Sequence, residues 1–215
     1  NLNERRTMDL LGFLFRWSHV LFGITWIGML YYFNFVQGGY FKQASPEGLA
    51  DAKAKLAPSA LWWFRWGAMG TFITGVVLLG YLGAALNNYI VVGAIFGTLM
   101  FLNVWIIIWP NQKIALGMVE GDAPAAGAKA LLASRHNVLF SAPMAFCMLA
   151  SGHPSGGMGY NAFSMSNSMI VMLIIIAALQ ANAMFGKQGP LTTVKGVIHA
   201  SLGLTAVMVL VFNFV

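Results

Sequence analysis

Four histidines hold most of the chemistry that this sequence can offer. No HExxH pair, phosphate-binding loop or nucleophile triad accompanies them. Cys147 is the only cysteine, which excludes an internal disulfide, a cysteine zinc site and a CxxCH haem attachment. His19 and His199 share a local pattern. Gly23 follows the first by four residues, and Gly203 follows the second by four. Residues at i and i+4 lie on one helix face, so each glycine leaves a flat gap beside an imidazole. A porphyrin ligated by that imidazole can lie against the helix there, because haem iron is commonly held by an axial histidine. Arg16, one turn before His19, is placed to neutralise a propionate. One reading therefore gives haem b with His19 and His199 on the iron and Arg16, Gly23 and Gly203 around it. The other has both imidazoles hydrogen-bonded to neighbouring helices and both glycines packing helices together. His136 and His153 fall at the ends of an apolar run, where solvated or structural roles are expected.

The elements that must position these residues follow from where charge is missing. The chain has 215 residues, 59% hydrophobic and only 8% charged, against roughly 25% charged in a soluble domain. Asp, Glu, Lys and Arg are absent from residues 17–41, 66–112, 136–186 and 196–215. A spanning helix needs about 20 apolar residues, so these runs hold one, two, two and one helices. None alternates in polarity as a barrel strand would. The sequence predicts an all-α, polytopic transmembrane bundle in one domain, with six helices near residues 10–36, 61–86, 89–109, 130–151, 168–185 and 194–214. Asn87-Asn88 reads as a tight turn. Pro110-Asn111 reads as the end of the third helix, because proline lacks an amide hydrogen. Pro143 is expected to kink the fourth. The Gly-, Pro- and Ser-rich residues 152–159 read as a loop, and residues 45–55 as a short helix on the membrane surface. The first apolar run is too long for a signal h-region, so no cleaved leader is expected.

The net charge of +6 comes from basic residues clustered at three loops. Lys42, Lys53, Lys55, Arg65, Lys113, Lys129, Arg135, Lys187 and Lys195 flank loops 1–2, 3–4 and 5–6, whereas the N-terminal end has Arg5, Arg6 and Arg16. The excess places those loops in the cytoplasm and both termini outside, in what is expected to be a bacterial inner membrane. Attraction to lipid headgroups accounts for the charge, and nucleic acid is not an expected partner. All six carboxylates lie in loops or at edges, so buried proton or metal chemistry falls to histidine. Gly93 and Gly97 form a GxxxG helix-packing face. Residues 62–66 (WWFRW) read as an interfacial aromatic belt. Asn103, inside a span, needs a partner on another helix. Met165, Met169 and Met172 fall at helical spacing and read as a packing stripe rather than a copper site.

Several stretches resemble one family. RWSHVLFGITWIG (residues 16–28) and WWFRWGAMGTFITG (residues 62–75) are similar to the first two helices of the membrane-bound urate hydroxylase, or urate oxidase N-terminal, family. GAIFGTLMFLNVWIIIWPNQK (residues 93–113) and SRHNVLFSAPMAFCMLASGHP (residues 134–154) are the strongest matches. The resemblance implies a membrane redox protein. Family members oxidise urate to 5-hydroxyisourate and pass electrons to a fused cytochrome c domain. By position, His19, Asn103, Asn111, Gln112, His136, Asn137 and His153 match the family's polar pattern. Against that pattern the chain is expected to be a short form, lacking that cytochrome domain and two helices before the GxxxG helix. Val91 or a neighbour stands where the family has a histidine, and residues 180–184 (QANAM) stand for an Arg-His pair.

Two functions are therefore expected. One is a b-haem redox protein that delivers electrons to a separate soluble or membrane cytochrome c. The other is a non-catalytic subunit of a larger membrane respiratory or oxygenase complex. Urate oxidation is the narrower form of the first. It requires an anion site, for which Arg16, Arg65 and Arg135 are the near-membrane arginines. A transporter ranks lowest, for want of a charged pathway or paired broken helices.

Overall fold

The computed structural model describes residues 2–153 and 162–215, and they are almost wholly helical. α1 (Leu2–Tyr31) continues through a π turn, Tyr32–Gln37, into α2 (Gly38–Gln43). α3 (Pro46–Asp51) runs through a second π turn, Ala52–Leu56, into α4 (Ala57–Leu82). α5 (Asn88–Leu102) joins α6 (Trp109–Ala115) through a third, Asn103–Ile108. α7 (Ala123–Ala150), α8 (Asn167–Phe185) and α9 (Val194–Phe214) complete the bundle. Side-chain oxygens open many of these elements. Ser45, Asn87, Asp122, Ser166 and Thr193 each accept from an amide three residues on, which satisfies a donor that the helix start leaves unpaired.

Five continuous helical stretches are long and apolar enough to cross a membrane: Arg6–Gln43, Pro46–Ala85, Asn88–Ala115, Asn167–Phe185 and Val194–Phe214. α7, at 28 residues, is about 42 Å long and is the sixth long helix, outside the five that are apolar enough to cross. Its first half carries Lys129, Arg135 and His136. It lies at the centre of the bundle, packed on α5, α6, α8 and α9, and every residue from Ala133 to Ser141 is buried. Protein covers Arg135, His136 and Asn137, whereas Lys129 is exposed.

The six expected helices are present, and two local expectations are corrected. Residues 45–55 are not a separate surface helix but the start of the rod that becomes α4. Nothing between Asp51 and Ala57 breaks a helix, and Pro58 falls in the first turn of α4, where its missing amide costs nothing. Pro110 does not end the third helix, which continues to Ala115. The π turn precedes it, and Asn111 Nδ2 donates 2.7 Å to the Ile107 carbonyl. Pro143 does not interrupt α7. Proline at that position leaves the Leu139 carbonyl without its helical donor, and Ser201 Oγ from α9 reaches it at 2.9 Å. The loop expected at residues 152–159 falls largely outside the described residues.

Small residues set the helix contacts. α1 packs along α4, where a Cβ on Gly67 would stand 3.0 Å from the Trp26 amide nitrogen, and one on Gly70 2.5 Å from the Phe22 ring. The GxxxG face of α5 meets α7. A Cβ on Gly93 would come within 2.9 Å of Cys147 Cβ, and one on Gly97 within 3.6 Å of Met144 Sδ. Between lipid-exposed helices such close backbone approach is a main source of attraction.

Candidate functional site

The buried polar residues gather along α7 and the helices around it. Asn103 Nδ2 donates to Asn137 Oδ1 at 2.9 Å and to Gln180 Oε1 at 3.2 Å, and Gln180 Nε2 donates back to Asn103 Oδ1 at 2.7 Å. Asn137 Nδ2 donates to the Met100 carbonyl at 3.0 Å. Three helices are thus joined by side-chain amides that use one another's capacity. His136 is fully buried. Its Nδ1 donates to the Leu132 carbonyl at 2.9 Å, and its Nε2 accepts from Asn182 Nδ2 at 2.8 Å. Asn182 also holds the Lys187 backbone. Both nitrogens of His136 are spent on structure, as its expected structural role requires, although it lies in the core rather than at an interface. On the other side of α7, Asn34 Nδ2 donates to Ser134 Oγ at 2.8 Å, and Tyr31 and Ser141 share a 2.8 Å bond.

His19 is treated differently. It is half-buried between α1 and α4, with Nδ1 3.0 Å from Thr74 Oγ1. The Thr74 hydroxyl donates its own proton to the Gly70 carbonyl at 2.7 Å, so its oxygen accepts from His19 Nδ1–H. In this arrangement Nδ1 carries the proton, the Thr71 backbone also lies within hydrogen-bonding reach of the ring, and Thr74 is the side chain that His19 meets through Nδ1. A histidine that ligates metal nearly always donates its other nitrogen in this way. Gly75 faces the ring, where a Cβ would stand 3.1 Å from Cε1. One turn beyond His19, Gly23 has nothing within 4 Å of its Cβ position. Arg16 is exposed one turn earlier. Were a haem bound here, His19 would be the residue to hold it, with Arg16 and Gly23 one turn to either side.

The remaining expected residues are scattered. His199 and Gly203 are exposed on the outer side of α9. α9 packs on α7 and α8 while α1 packs on α4, so the fold does not set His199 beside His19. His153 is exposed and bonds the Leu149 carbonyl at 2.8 Å. Asn111 bonds within its own helix, and Gln112 is half-buried in α6. Among the described residues, no three His, Cys, Asp or Glu side chains form a metal-holding group. Asn34, Asn182 and Thr74 were not singled out from sequence. The first two carry the signal that marked Asn103, an amide within an apolar run.

A helical chain with five apolar spans around a polar central helix is a polytopic membrane protein. Over residues 82–213 it matches the family described as urate oxidase N-terminal, and it belongs to that family. No curated protein and no solved structure matches it. The matched region takes in α5 to α9, including Asn103, His136, Asn137 and His199. His19 and Thr74 precede it.

Proposed function

We propose that this chain is an integral membrane redox protein that holds haem b through His19 and passes electrons to a separate cytochrome. The observation that carries the reading is the 3.0 Å contact of His19 Nδ1 with Thr74 Oγ1, whose own proton goes to the Gly70 carbonyl; this arrangement supports an unprotonated Nε2. The haem would supply one-electron transfer at its iron. The chain's own residues supply the rest. Thr74 orients the ring, Gly75 and Gly23 keep side chains out of the space beside it, and Arg16 offsets propionate charge. Lipid and neighbouring helices keep the dielectric low, which is one of the protein's means of setting a potential. The basic loops 1–2, 3–4 and 5–6 face the cytoplasm of a bacterial inner membrane in this reading. Urate is the narrower choice of electron donor. The buried Arg135, with Nε and Nη1 unpartnered, is the residue that would meet its charge.

A reduced-minus-oxidised spectrum of the purified protein tests the proposal. Soret and alpha bands are expected in the wild type and should be lost in His19→Ala. A colourless wild type overturns the haem reading, and urate that fails to reduce the bound haem removes the narrower one. A second reading, a non-catalytic subunit of a respiratory or oxygenase complex, is favoured by the self-satisfied network of Asn103, Asn137, Gln180 and His136. That network glues helices and leaves no group free for a ligand. Co-purification with a large enzyme at fixed ratio, from a colourless preparation, would select it.

A further inference from the structure

Arg65 and Lys113 share one indole. Arg65 Cζ lies 3.4 Å from the centre of the Trp109 ring, and Lys113 Nζ lies 5.5 Å from it. Arg65 comes from α4, while Trp109 and Lys113 come from α6. The two rods meet at the same level through Trp66 and Trp105, whose rings are 5.8 Å apart, edge to face. Neither cation has a carboxylate partner among the described residues, where the ion pair present joins Lys55 to Asp51. Two buried N–H groups here also lack an acceptor, Arg65 Nη1 and Trp105 Nε1. The unmatched atoms of Arg65 and Trp105 are donors, and the two side chains on the indole are cations. The complementary group is an anionic acceptor.

The surroundings say where such a group comes from. Trp62, Trp63 and Trp66 are 48%, 56% and 46% exposed, and Trp62 packs on both of the others. Exposed tryptophans on a membrane helix sit at headgroup depth. A free inorganic ion would satisfy the cations and leave this apolar shelf uncovered, whereas a lipid covers both. We propose that Arg65 and Lys113 bind the phosphodiester of an anionic phospholipid, whose interfacial region lies against Trp62, Trp63 and Trp66. Basic pockets between membrane helices take anionic headgroups. Arginine suits phosphate because its planar fork donates two bonds at once. Stacking on Trp109 fixes that plane before the lipid arrives. The site is separate from His19. Arg65 precedes Thr74 by nine residues on α4, about 13 Å along the helix, so the lipid proposal stands or falls independently of haem.

Native mass spectrometry of the purified chain with phosphatidylglycerol and phosphatidylcholine tests it. The wild type should hold phosphatidylglycerol at collision energies that strip phosphatidylcholine. Arg65→Gln and Lys113→Gln should each weaken that preference about fivefold, the worth of one basic residue at an anionic surface. Arg65→Lys should retain part of it. Lys113 is only half-buried, so its variant keeps the test available if the Arg65 variant fails to fold. The proposal is overturned if the wild type shows no preference, if both glutamine variants keep it, or if millimolar phosphate displaces the lipid. It is also overturned if Arg65→Gln loses haem while its lipid preference is unchanged.

Discussion

At His136 both ring nitrogens are occupied, one by the Leu132 carbonyl and one by the Asn182 amide. At His19 the side-chain contact is through Nδ1, to Thr74, an arrangement that supports an unprotonated Nε2. The first ring sits in the core, bonded within α7 and to α8. The second sits at the edge of the α1–α4 pair, where glycines leave space. An imidazole with both nitrogens used can only be removed at the expense of the fold. One with a single pinned nitrogen is oriented and still available. Burial alone therefore does not mark a functional histidine in this bundle, because the more deeply buried of the two is the one committed to architecture.

The largest effect should come from His136→Ala. It deletes a fully buried ring and leaves the Asn182 amide and the Leu132 carbonyl with less to bond. A cavity and lost hydrogen bonds together should cost about 3 kcal/mol in reversible unfolding in mixed micelles. A loss near zero would break the contrast by showing that His136 is not structural. Asn137→Leu should follow at about 1–2 kcal/mol, because Asn137 bridges Asn103 and the Met100 carbonyl. Gln180→Leu tests the same amide cluster from α8, and its effect should be less than additive with that of Asn137→Leu, since both touch Asn103.

The sequence carried the six helices because charge-free runs of spanning length leave few alternatives. The limits of α8 and α9 were legible to within a residue, since Ser166, Gly186 and Thr193 punctuate them. Pro110 was misread because the helix runs past it, through a π turn, to Ala115. At Pro143 the group that meets the freed carbonyl comes from far along the chain, as Ser201 does for Leu139. The continuation of α3 into α4 was hidden by its mixed charge, which is compatible with a surface helix and with the end of a span alike. Of the polar residues, Asn103 and Asn137 could be picked out, but their pairing with Gln180 could not. That contact joins residues 77 apart, and no local pattern encodes it. The tautomer of His19 was equally out of reach, because Thr74 lies 55 residues away.

Ser201→Ala should be milder than the α7 variants and should cost about 1 kcal/mol. The hydroxyl serves both Val138 and Leu139 carbonyls, and Leu139 has no helical donor while Pro143 stands four residues on. Restoring the amide should remove part of the penalty, so the double variant Pro143→Ala, Ser201→Ala should be closer to wild type than Ser201→Ala alone. If the two costs simply add, the hydroxyl is not replacing the missing amide.

Thr74→Val should have the smallest effect on stability and the sharpest effect on the comparison. Valine keeps the shape of threonine and removes the hydroxyl that faces His19 Nδ1, together with that hydroxyl's bond inside α4. The bond is at a half-buried edge, where hydrogen bonds between membrane helices average about 0.6 kcal/mol, so unfolding should barely move. Haem retention should respond far more, because losing the partner that orients a ligating histidine lowers metal affinity by about 10- to 100-fold. Titration of haem into the purified variant, beside Thr74→Ser, separates the two effects. Serine keeps the oxygen and should bind as the wild type does. Equal haem affinity in all three proteins would mean that Thr74 does not orient a ligand, and would return His19 to the same structural role as His136.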